Sequence, residues 1–288
     1  MIRRAVYISL LVILCMPVQA SADAMKVSLR QALTKKMVSI VAMAKGGYLG
    51  KVLNIKISNR MPFALDISVD PGLIFRPADT NYQNLVAVGE EKVEIGSKAN
   101  AEIQLQTFCG KSHARGPKEG LNYTFWKQGD APMIKVSQYI KQHNLFNYTG
   151  QHAIWSLTNG HSLTNIYDQT EESKKLALFV ASATGKKAPT FYTKTKLSEK
   201  PGAVVYSPEI EKYYVDLEWQ PRSARNLHVY VVKEDGTLLW EQTKASISAK
   251  GHKTIVELDP KYLKKGRYFV QLKDDDNYLW RNEEVVIE

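Results

Sequence analysis

The chain has 288 residues, of which 44% are hydrophobic and 24% charged, and its formal net charge is +10. This length suggests about two domains of ordinary size, and the composition is typical of a soluble globular protein rather than a disordered or membrane-embedded one. Lys and Arg are scattered among acidic residues, without the continuous basic stripe and interleaved aromatic residues of a nucleic-acid groove. Nucleic acid is therefore not an expected partner.

The first 22 residues have the pattern of a secretory signal peptide. Arg3-Arg4 precede a largely apolar run from Ala5 to Pro17, and the small-x-small sequence Ala20-Ser21-Ala22 follows. The apolar run is short for a membrane span. We therefore expect cleavage before Asp23, export to the periplasm, cell surface or extracellular space, and no stable membrane span afterwards.

Cleavage at that position would remove Cys15 and leave Cys109 as the single cysteine. An exported protein with one cysteine has no intramolecular disulfide, so its domains must depend on hydrophobic cores. Three fates are open to Cys109: it is buried and inert, paired with another chain, or chemically used.

Residues 23–185 are expected to form a strand-rich first domain. Val27–Ala44 fits a helix, because its apolar residues lie three and four apart, but part of it also alternates like a strand. From Gly50 onwards, short alternating runs are separated by turn residues. These runs predict an antiparallel sheet or sandwich that ends at Cys109.

A helical segment is predicted inside this first domain. Pro132 opens an amphipathic run, as suits a first helical turn. Gly150–Leu157 predicts a second helix, and Thr170–Thr184 predicts a third that ends at Gly185. The second helix places Gln151 and Trp155 four residues apart, on one face.

Residues 186–208 are polar and rich in Pro, which predicts a linker. Residues 209–288 then contain about seven short alternating runs, two of them joined by the hairpin signal Glu234-Asp235-Gly236. This spacing predicts a β-sandwich of the immunoglobulin or fibronectin type. The predicted fold class is therefore mainly β with a helical insertion, formed by an α+β first domain and a C-terminal sandwich.

Three segments of the predicted sandwich, Val229–Thr237, Val256–Asp259 and Leu263–Val270, resemble the small domains at the ends of exported Bacteroidota proteins, including type IX secretion sorting domains. The resemblance covers about the last quarter of the chain and implies a role in sorting to the cell surface. The sequence ends Val285-Val286-Ile287-Glu288, without a terminal basic residue. We therefore expect an accessory sandwich in preference to a sorting domain.

Two motifs in the first domain, Phe108-Cys109 and Gln151-His152-Ala153-Ile154-Trp155, resemble those of the thioester domains of bacterial surface adhesins. In such domains an aromatic-Cys motif supplies a thiol, and a Gln-x-Ala-apolar-Trp motif supplies a carboxamide. The resemblance implies a thioester between Cys109 and Gln151. Gly110 departs from the pattern, since an apolar residue is expected there.

A Cys109 thiolate that attacked the amide carbon of Gln151 would expel ammonia and leave an electrophile that an amine or hydroxyl of a partner could capture. Lys111 or His113 could help the thiol to lose its proton. The structural alternative is that Cys109 is a small buried hydrophobe and that Gln151 hydrogen-bonds the preceding loop. The residues that could support the reaction are His113, His152 and Trp155.

Metal binding is another use of the same side chains. Cys109, His113, His152 and His161 could supply sulfur and imidazole ligands to zinc, but the Cys-x₃-His spacing is loose. No metal or other cofactor is therefore expected. Asp274-Asp275-Asp276-Asn277 predicts a solvated hairpin in preference to a calcium site.

The function that these features favour is non-enzymatic binding or adhesion at the envelope or surface, with a protein or glycan ligand and a candidate covalent link through Cys109 and Gln151. The alternative is a cysteine- or zinc-dependent envelope hydrolase that uses Cys109 with His113 or His152. Motifs of other hydrolases and of phosphate-binding loops do not occur in the sequence.

Overall fold

The structure is a computed structural model that describes residues 23–198, 200, 202–220, 226–244 and 252–287. The predicted signal peptide, 1–22, and Cys15 within it lie outside these ranges. Within them the chain forms sixteen β-strands, four α-helices and two short 3-10 helices. The prediction of a mainly β fold with a helical insertion is confirmed.

The first part of the chain is organised around a closed six-stranded barrel. Its elements are β1 (Met25–Ser28), α1 (Leu29–Thr34), β2 (Val38–Ala44), β3 (Leu49–Asn59), β4 (Leu65–Val69), β5 (Leu73–Pro77), β6 (Leu85–Ala87), β7 (Glu91–Ile95), β8 (Asn100–Cys109) and β9 (Asn122–Gln128). The barrel has the strand order β2-β3-β8-β6-β5-β9, and β1, β4 and β7 form a small separate sheet. The prediction that this sheet ends at Cys109 is wrong, because β9 follows and pairs with both β2 and β5, which closes the sheet into a barrel.

The segment 27–44, for which the sequence fitted both helix and strand, contains both. Ser28 caps α1 by accepting a hydrogen bond from the backbone N–H of Gln31. After this short helix the chain enters β2, whose burial alternates in part. A single hydrophobic period could not describe the whole segment because it changes element after Thr34.

The helical insertion lies between β9 and the second half of the chain. It consists of α2 (Ala131–Gln142), α3 (Tyr148–Thr158), a 3-10 turn (Leu163–Asn165) and α4 (Glu171–Thr184). Asp130, Asn147 and Thr170 cap the three α-helices with side-chain oxygens. Gly185 ends α4 in the left-handed conformation, at φ +68°, a geometry that suits glycine.

The helices pack against one side of the barrel through a second apolar core. Barrel residues Val86 and Phe108 meet helix residues that include Ile140, Ile154 and Val180. The approach of α3 to β8 is especially close at Gly150, where a Cβ atom would lie 2.1 Å from Leu145 O and 2.8 Å from the Phe108 ring. Glycine at this position therefore allows α3 to lie against the end of β8.

The second half of the chain forms two packed sheets. Its strands are β10 (Tyr192–Leu197), β11 (Tyr206–Glu218), β12 (Leu227–Lys233), β13 (Leu238–Lys244), β14 (Lys253–Leu258), β15 (Gly266–Asp274) and β16 (Leu279–Ile287). The sheet β10-β11-β14 faces the sheet β13-β12-β15-β16 across a core that includes Val215, Val229 and Val270. This arrangement is the predicted β-sandwich.

The predicted linker, 186–208, contains strand β10 and the beginning of β11, which pair antiparallel. An ion-pair network also ties the sandwich to the helical insertion. Lys174 of α4 and Lys253 of β14 place their Nζ atoms 2.9 and 3.1 Å from Asp216 Oδ2 on β11, and Tyr167 donates a hydrogen bond to Asp216 Oδ1 at 2.6 Å. The division of the chain at 186–208 stays a prediction.

Candidate functional site

Cys109 and Gln151 meet where the barrel contacts the helical insertion. Cys109 is the last residue of β8 and Gln151 the fourth residue of α3, and both are fully buried. The backbone N–H of Cys109 donates to Gln151 Oε1 at 2.9 Å, and Gln151 Nε2 donates to the carbonyl oxygen of Cys109 at 2.8 Å. The structure thus brings together two residues that are 42 positions apart in the chain.

The thiol of Cys109 lies in an apolar environment. It belongs to the barrel core, which also contains Trp155, and its Sγ lies 3.8 Å from the carbonyl oxygen of Tyr48. Burial raises the pKa of the Cys109 thiol well above its usual range. The thiol is therefore protonated at neutral pH.

Lys111 and His113, the two candidates for assisting deprotonation of Cys109, contact other groups. Lys111 donates from Nζ to the carbonyl oxygen of Thr80 at 3.1 Å. His113 is exposed, and its ring lies 6.3 Å from that of His161. These contacts give neither side chain a defined role at the sulfur.

Gln83 connects the loop after Cys109 to helix α3. Its buried side chain accepts hydrogen bonds from the backbone N–H of Lys111 at 3.2 Å and from Trp155 Nε1 at 3.4 Å, and it donates to the carbonyl oxygen of Ala114. Sequence reasoning missed Gln83, because it lies 72 positions from Trp155 and carries no motif.

A second cluster, which we call the histidine cluster, consists of His113, His152, His161, Trp155 and Tyr206. The ring of His161 is central: its centroid lies 4.2 Å from Tyr206, 5.5 Å from Trp155 and 6.4 Å from His152. The rings of His152 and Trp155 are perpendicular at 5.3 Å. Three of the histidines considered from the sequence are therefore neighbours, and Tyr206, from the predicted linker, joins them.

Two histidines of the cluster, the buried His152 and the half-buried His161, are neutral at physiological pH. Burial, and secondarily the proximity of His161, lowers the pKa of His152 to about 3. Burial and the proximity of His113 lower the pKa of His161 to about 4. Both rings therefore keep a nitrogen lone pair at neutral pH.

Ser112 also belongs to this region and was missed from the sequence, although it lies within the Cys109–His113 run. Its side chain is fully buried, and its Oγ lies 2.8 Å from His161 Nε2. The backbone N–H of Ser112 donates to Asn159 Oδ1 at 3.1 Å. The end of α3 therefore fixes the serine beside the imidazole.

Two cavities adjoin these groups. One of about 350 Å³ begins at Gly110, directly after Cys109, and is also lined by Lys111, Trp126 and Asn159. The other, of about 590 Å³, has His161 and Tyr206 in its wall. The first cavity is therefore lined by the neighbour of the buried Cys109, and the second by two members of the histidine cluster.

In the described ranges, one set of three side chains has possible metal-ligating atoms within 4.8 Å of one another: Glu171, Asp216 and Glu218. Lys174 and Lys253 already form ion pairs with these carboxylates, so the set is an internal salt-bridge network. Within the same ranges, Cys109, His113, His152 and His161 do not provide three ligand atoms that all lie within 4.8 Å of one another.

The carboxylate of Asp274, which the sequence placed in a hairpin, is used by the turn itself. Asp274 Oδ1 accepts hydrogen bonds from the backbone N–H groups of Asp276 and Tyr278, and Oδ2 accepts one from Trp280 Nε1. The turn joins β15 to β16. These contacts confirm the predicted hairpin.

No protein-family model matches the chain, and no curated protein matches it at a significant level. The resemblances to thioester domains and to sorting domains therefore stay predictions. Within the described ranges, every helix is too short or too polar to cross a membrane.

Proposed function

We propose that this chain is an exported binding or adhesion protein that forms a thioester between Cys109 and Gln151. The observation that carries the proposal is the double hydrogen bond between the Gln151 carboxamide and the main chain of Cys109. This pairing holds the electrophilic carbon beside the residue that bears the nucleophile, as an intramolecular reaction requires.

The reaction balances without an oxidant or any other reactant. The sulfur of Cys109 attacks Cδ of Gln151, the C–N bond breaks, and the thiol proton leaves with the nitrogen as ammonia. When an amine of a partner attacks the thioester, it forms an amide to the former Gln151 side chain and releases the thiol. The partner is then covalently attached.

The surroundings of the pair support two requirements of this chemistry. The backbone N–H of Cys109 points at Gln151 Oε1, where negative charge develops during the attack, and a donor placed in this way stabilises the tetrahedral intermediate. Full burial of both residues keeps bulk water away from a bond that water hydrolyses. The raised pKa of the thiol means that the proton must move to the leaving nitrogen as the sulfur attacks.

The cavity beginning at Gly110 is the route that we assign to the partner. It reaches the residue next to Cys109 and carries Lys111 and the partly exposed Trp126 in its wall. A protein or glycan at the surface of another cell or molecule would present its amine or hydroxyl there. The sandwich would serve as an accessory or sorting domain of the exported chain.

The alternative function, a hydrolase that uses Cys109 with His113 or His152, has less support. A hydrolase needs its nucleophile activated and open to substrate. The Cys109 thiol is buried, and its pKa is raised. No contact of the described residues pairs that thiol with an imidazole.

Intact-mass measurement of the purified chain tests the proposal. A thioester lowers the mass by about 17 Da, the mass of ammonia, relative to the sum of the amino acids, and protects the thiol from alkylation in denaturant. Treatment with methylamine should release one thiol and add about 31 Da to the thioester form, which leaves the chain about 14 Da above the mass calculated from the sequence. Cys109→Ala and Gln151→Ala should each abolish the loss of ammonia.

A matched control is Gln83→Ala, which removes a different buried carboxamide next to the same loop and leaves both reacting groups in place. This variant should keep the mass loss if it folds. If the wild-type chain has its full mass and one free thiol, the thioester is refuted and the Cys109–Gln151 contact is a structural clamp.

A further inference from the structure

The histidine cluster contains buried ring nitrogens that have no hydrogen-bond partner. Both Nδ1 and Nε2 of His152 are in this state, and so is Nδ1 of His161. His152 as a whole is fully buried. Buried polar atoms are nearly always satisfied in folded proteins, so three unsatisfied nitrogens on two adjacent rings require an explanation that the thioester proposal does not supply.

The hydrogen bond of His161 defines which nitrogen is free to bind. Its Nε2 lies 2.8 Å from Ser112 Oγ, so an Nε2–H can donate to the serine and leave a lone pair on Nδ1. Histidines that bind metals usually donate their other ring N–H to a neighbouring acceptor in this way, which fixes the tautomer and the ring orientation. The backbone of Ser112 is held in turn by Asn159.

We propose that His113, His152 and His161 form a binding site for a divalent transition-metal ion with an affinity for imidazole, such as Zn²⁺. Three histidines with a fourth position left for water or a ligand make a common zinc site, and imidazole nitrogen suits zinc, copper and nickel better than magnesium or calcium. This inference is independent of the thioester, since Cys109 and Gln151 take no part in it.

The spacing of the rings requires a small movement on binding. Ring centroids are 6.3 Å apart for His113 and His161 and 6.4 Å apart for His152 and His161. Two imidazoles on one tetrahedral zinc have centroids roughly 5 Å apart, because each Zn–N bond is about 2.0 Å long. Each of these two pairs must therefore close by roughly 1 Å, and the exposed His113 is free to supply part of this movement and to turn towards His152.

An ion has a path to the cluster. His161 and Tyr206 form part of the wall of the 590 Å³ cavity, whose other lining residues include Asn165 and Thr195. A metal site needs ligands whose other polar atoms are hydrogen-bonded to surrounding residues, and it needs a path by which the ion can enter. Aromatic packing alone would explain the ring contacts of Tyr206 and Trp155, but it leaves all three nitrogens without partners, whereas a bound ion would engage one nitrogen of His152 and Nδ1 of His161.

The experiment uses the untagged protein after treatment with a chelator. Calorimetry measures its titration with Zn²⁺, and a second titration with Co²⁺ is monitored by the visible spectrum, which reports the ligands of the ion. We expect one ion per chain and a Co²⁺ spectrum with nitrogen ligands. His113→Gln and His161→Gln should each weaken Zn²⁺ binding by more than about tenfold, and Ser112→Ala should weaken it by about 10–100-fold through the lost outer contact.

Two matched variants decide where the ligands are. His143→Gln alters an exposed histidine that stacks on Tyr139 away from the cluster, and Cys109→Ala removes the only cysteine of the described ranges. Both should bind Zn²⁺ as the wild type does. The proposal is overturned if Zn²⁺ does not bind stoichiometrically. It is also overturned if His143→Gln and His161→Gln lose affinity for Zn²⁺ equally, or if Cys109→Ala loses affinity for Zn²⁺ while its circular dichroism shows an intact fold.

Discussion

Replacing Gly150 by alanine gives a sharp test of how the helical insertion is seated on the barrel. The added Cβ would lie 2.1 Å from Leu145 O and 2.8 Å from the ring of Phe108, whereas contacts of less than 3.0 Å essentially never occur. The start of α3 must therefore shift by about 0.9 Å, the difference between 3.0 and 2.1 Å. Such a shift moves Gln151 away from Cys109.

The expected cost follows from three contributions. Overpacking costs about 1–3 kcal/mol, and weakening the two hydrogen bonds to Cys109 costs about 1 kcal/mol each. The better helix propensity of alanine returns about 1 kcal/mol. Gly150→Ala should thus lower the free energy of unfolding by about 2–4 kcal/mol, although the same substitution at an unconstrained helical site is stabilising.

Urea unfolding followed by tryptophan fluorescence measures this loss, because Trp155 lies in the core beside Cys109. Gly96→Ala is the matched control: the nearest atom to its added Cβ, Ala99 Cβ, is 3.7 Å away, an ordinary contact, so stability should change by less than about 0.5 kcal/mol. A Gly150→Ala protein as stable as the wild type would refute the close seating of α3 against β8.

Three other substitutions test the polar contacts. Gln151→Leu leaves the backbone N–H and carbonyl of Cys109 buried without partners, so the free energy of unfolding should fall by about 2–4 kcal/mol in chemical denaturation. Asp216→Ala removes the acceptor shared by two lysines and a tyrosine and should cost about 2–3 kcal/mol, measured in the same way. His152→Leu should reduce the acid sensitivity of the fold. The pKa of His152 is about 3 in the folded chain against 6.5 ordinarily, so the unfolded state takes up a proton first, and stability falls as the pH drops from about 6.5 towards 3, by at most about 1.4 kcal/mol per unit.

Each of these predictions has its own control. Thr107 lies near the end of β8 and its buried hydroxyl has no partner, so Thr107→Val should not reproduce the loss seen in Gln151→Leu. Glu209→Ala breaks an exposed ion pair with Lys196 and should cost less than about 1 kcal/mol, unlike Asp216→Ala. An identical pH profile for wild type and His152→Leu would contradict the lowered pKa of His152.

Local patterns in the sequence were sufficient for most of the secondary structure. Pro132 and Gly185 indicated helix ends because their effect on φ is local. Glu234-Asp235-Gly236 indicated a hairpin for the same reason, and β12 and β13 pair around it. By contrast, the polar run that contains β10, Tyr192–Leu197, predicts a linker. Its strand geometry depends on antiparallel pairing with β11, which has no local signal.

The candidate sites divide in the same way. The motifs containing Cys109 and Gln151 are visible in the sequence. The predicted elements place Cys109 at the end of a strand and Gln151 near the start of a helix, which is compatible with a contact between them. The carboxamide pairing itself, the buried thiol and the close approach at Gly150 depend on the packing of α3 against β8. No local sequence pattern predicts that Gln83 hydrogen-bonds Lys111 and Trp155, or that Tyr206 packs against His161.

The sequence alone therefore determined the classes of elements, their order and the residue types available for thiol, carboxamide and imidazole chemistry, because these depend on neighbours within a few positions. Only the tertiary structure decided that the first sheet closes into a barrel and that Gln151 faces Cys109. It alone decided that the ring of His161 lies near those of His113 and His152, and that His152 and His161 keep buried nitrogens without hydrogen-bond partners. Such contacts join residues tens of positions apart, and their geometry is fixed by how the barrel, helices and sandwich pack.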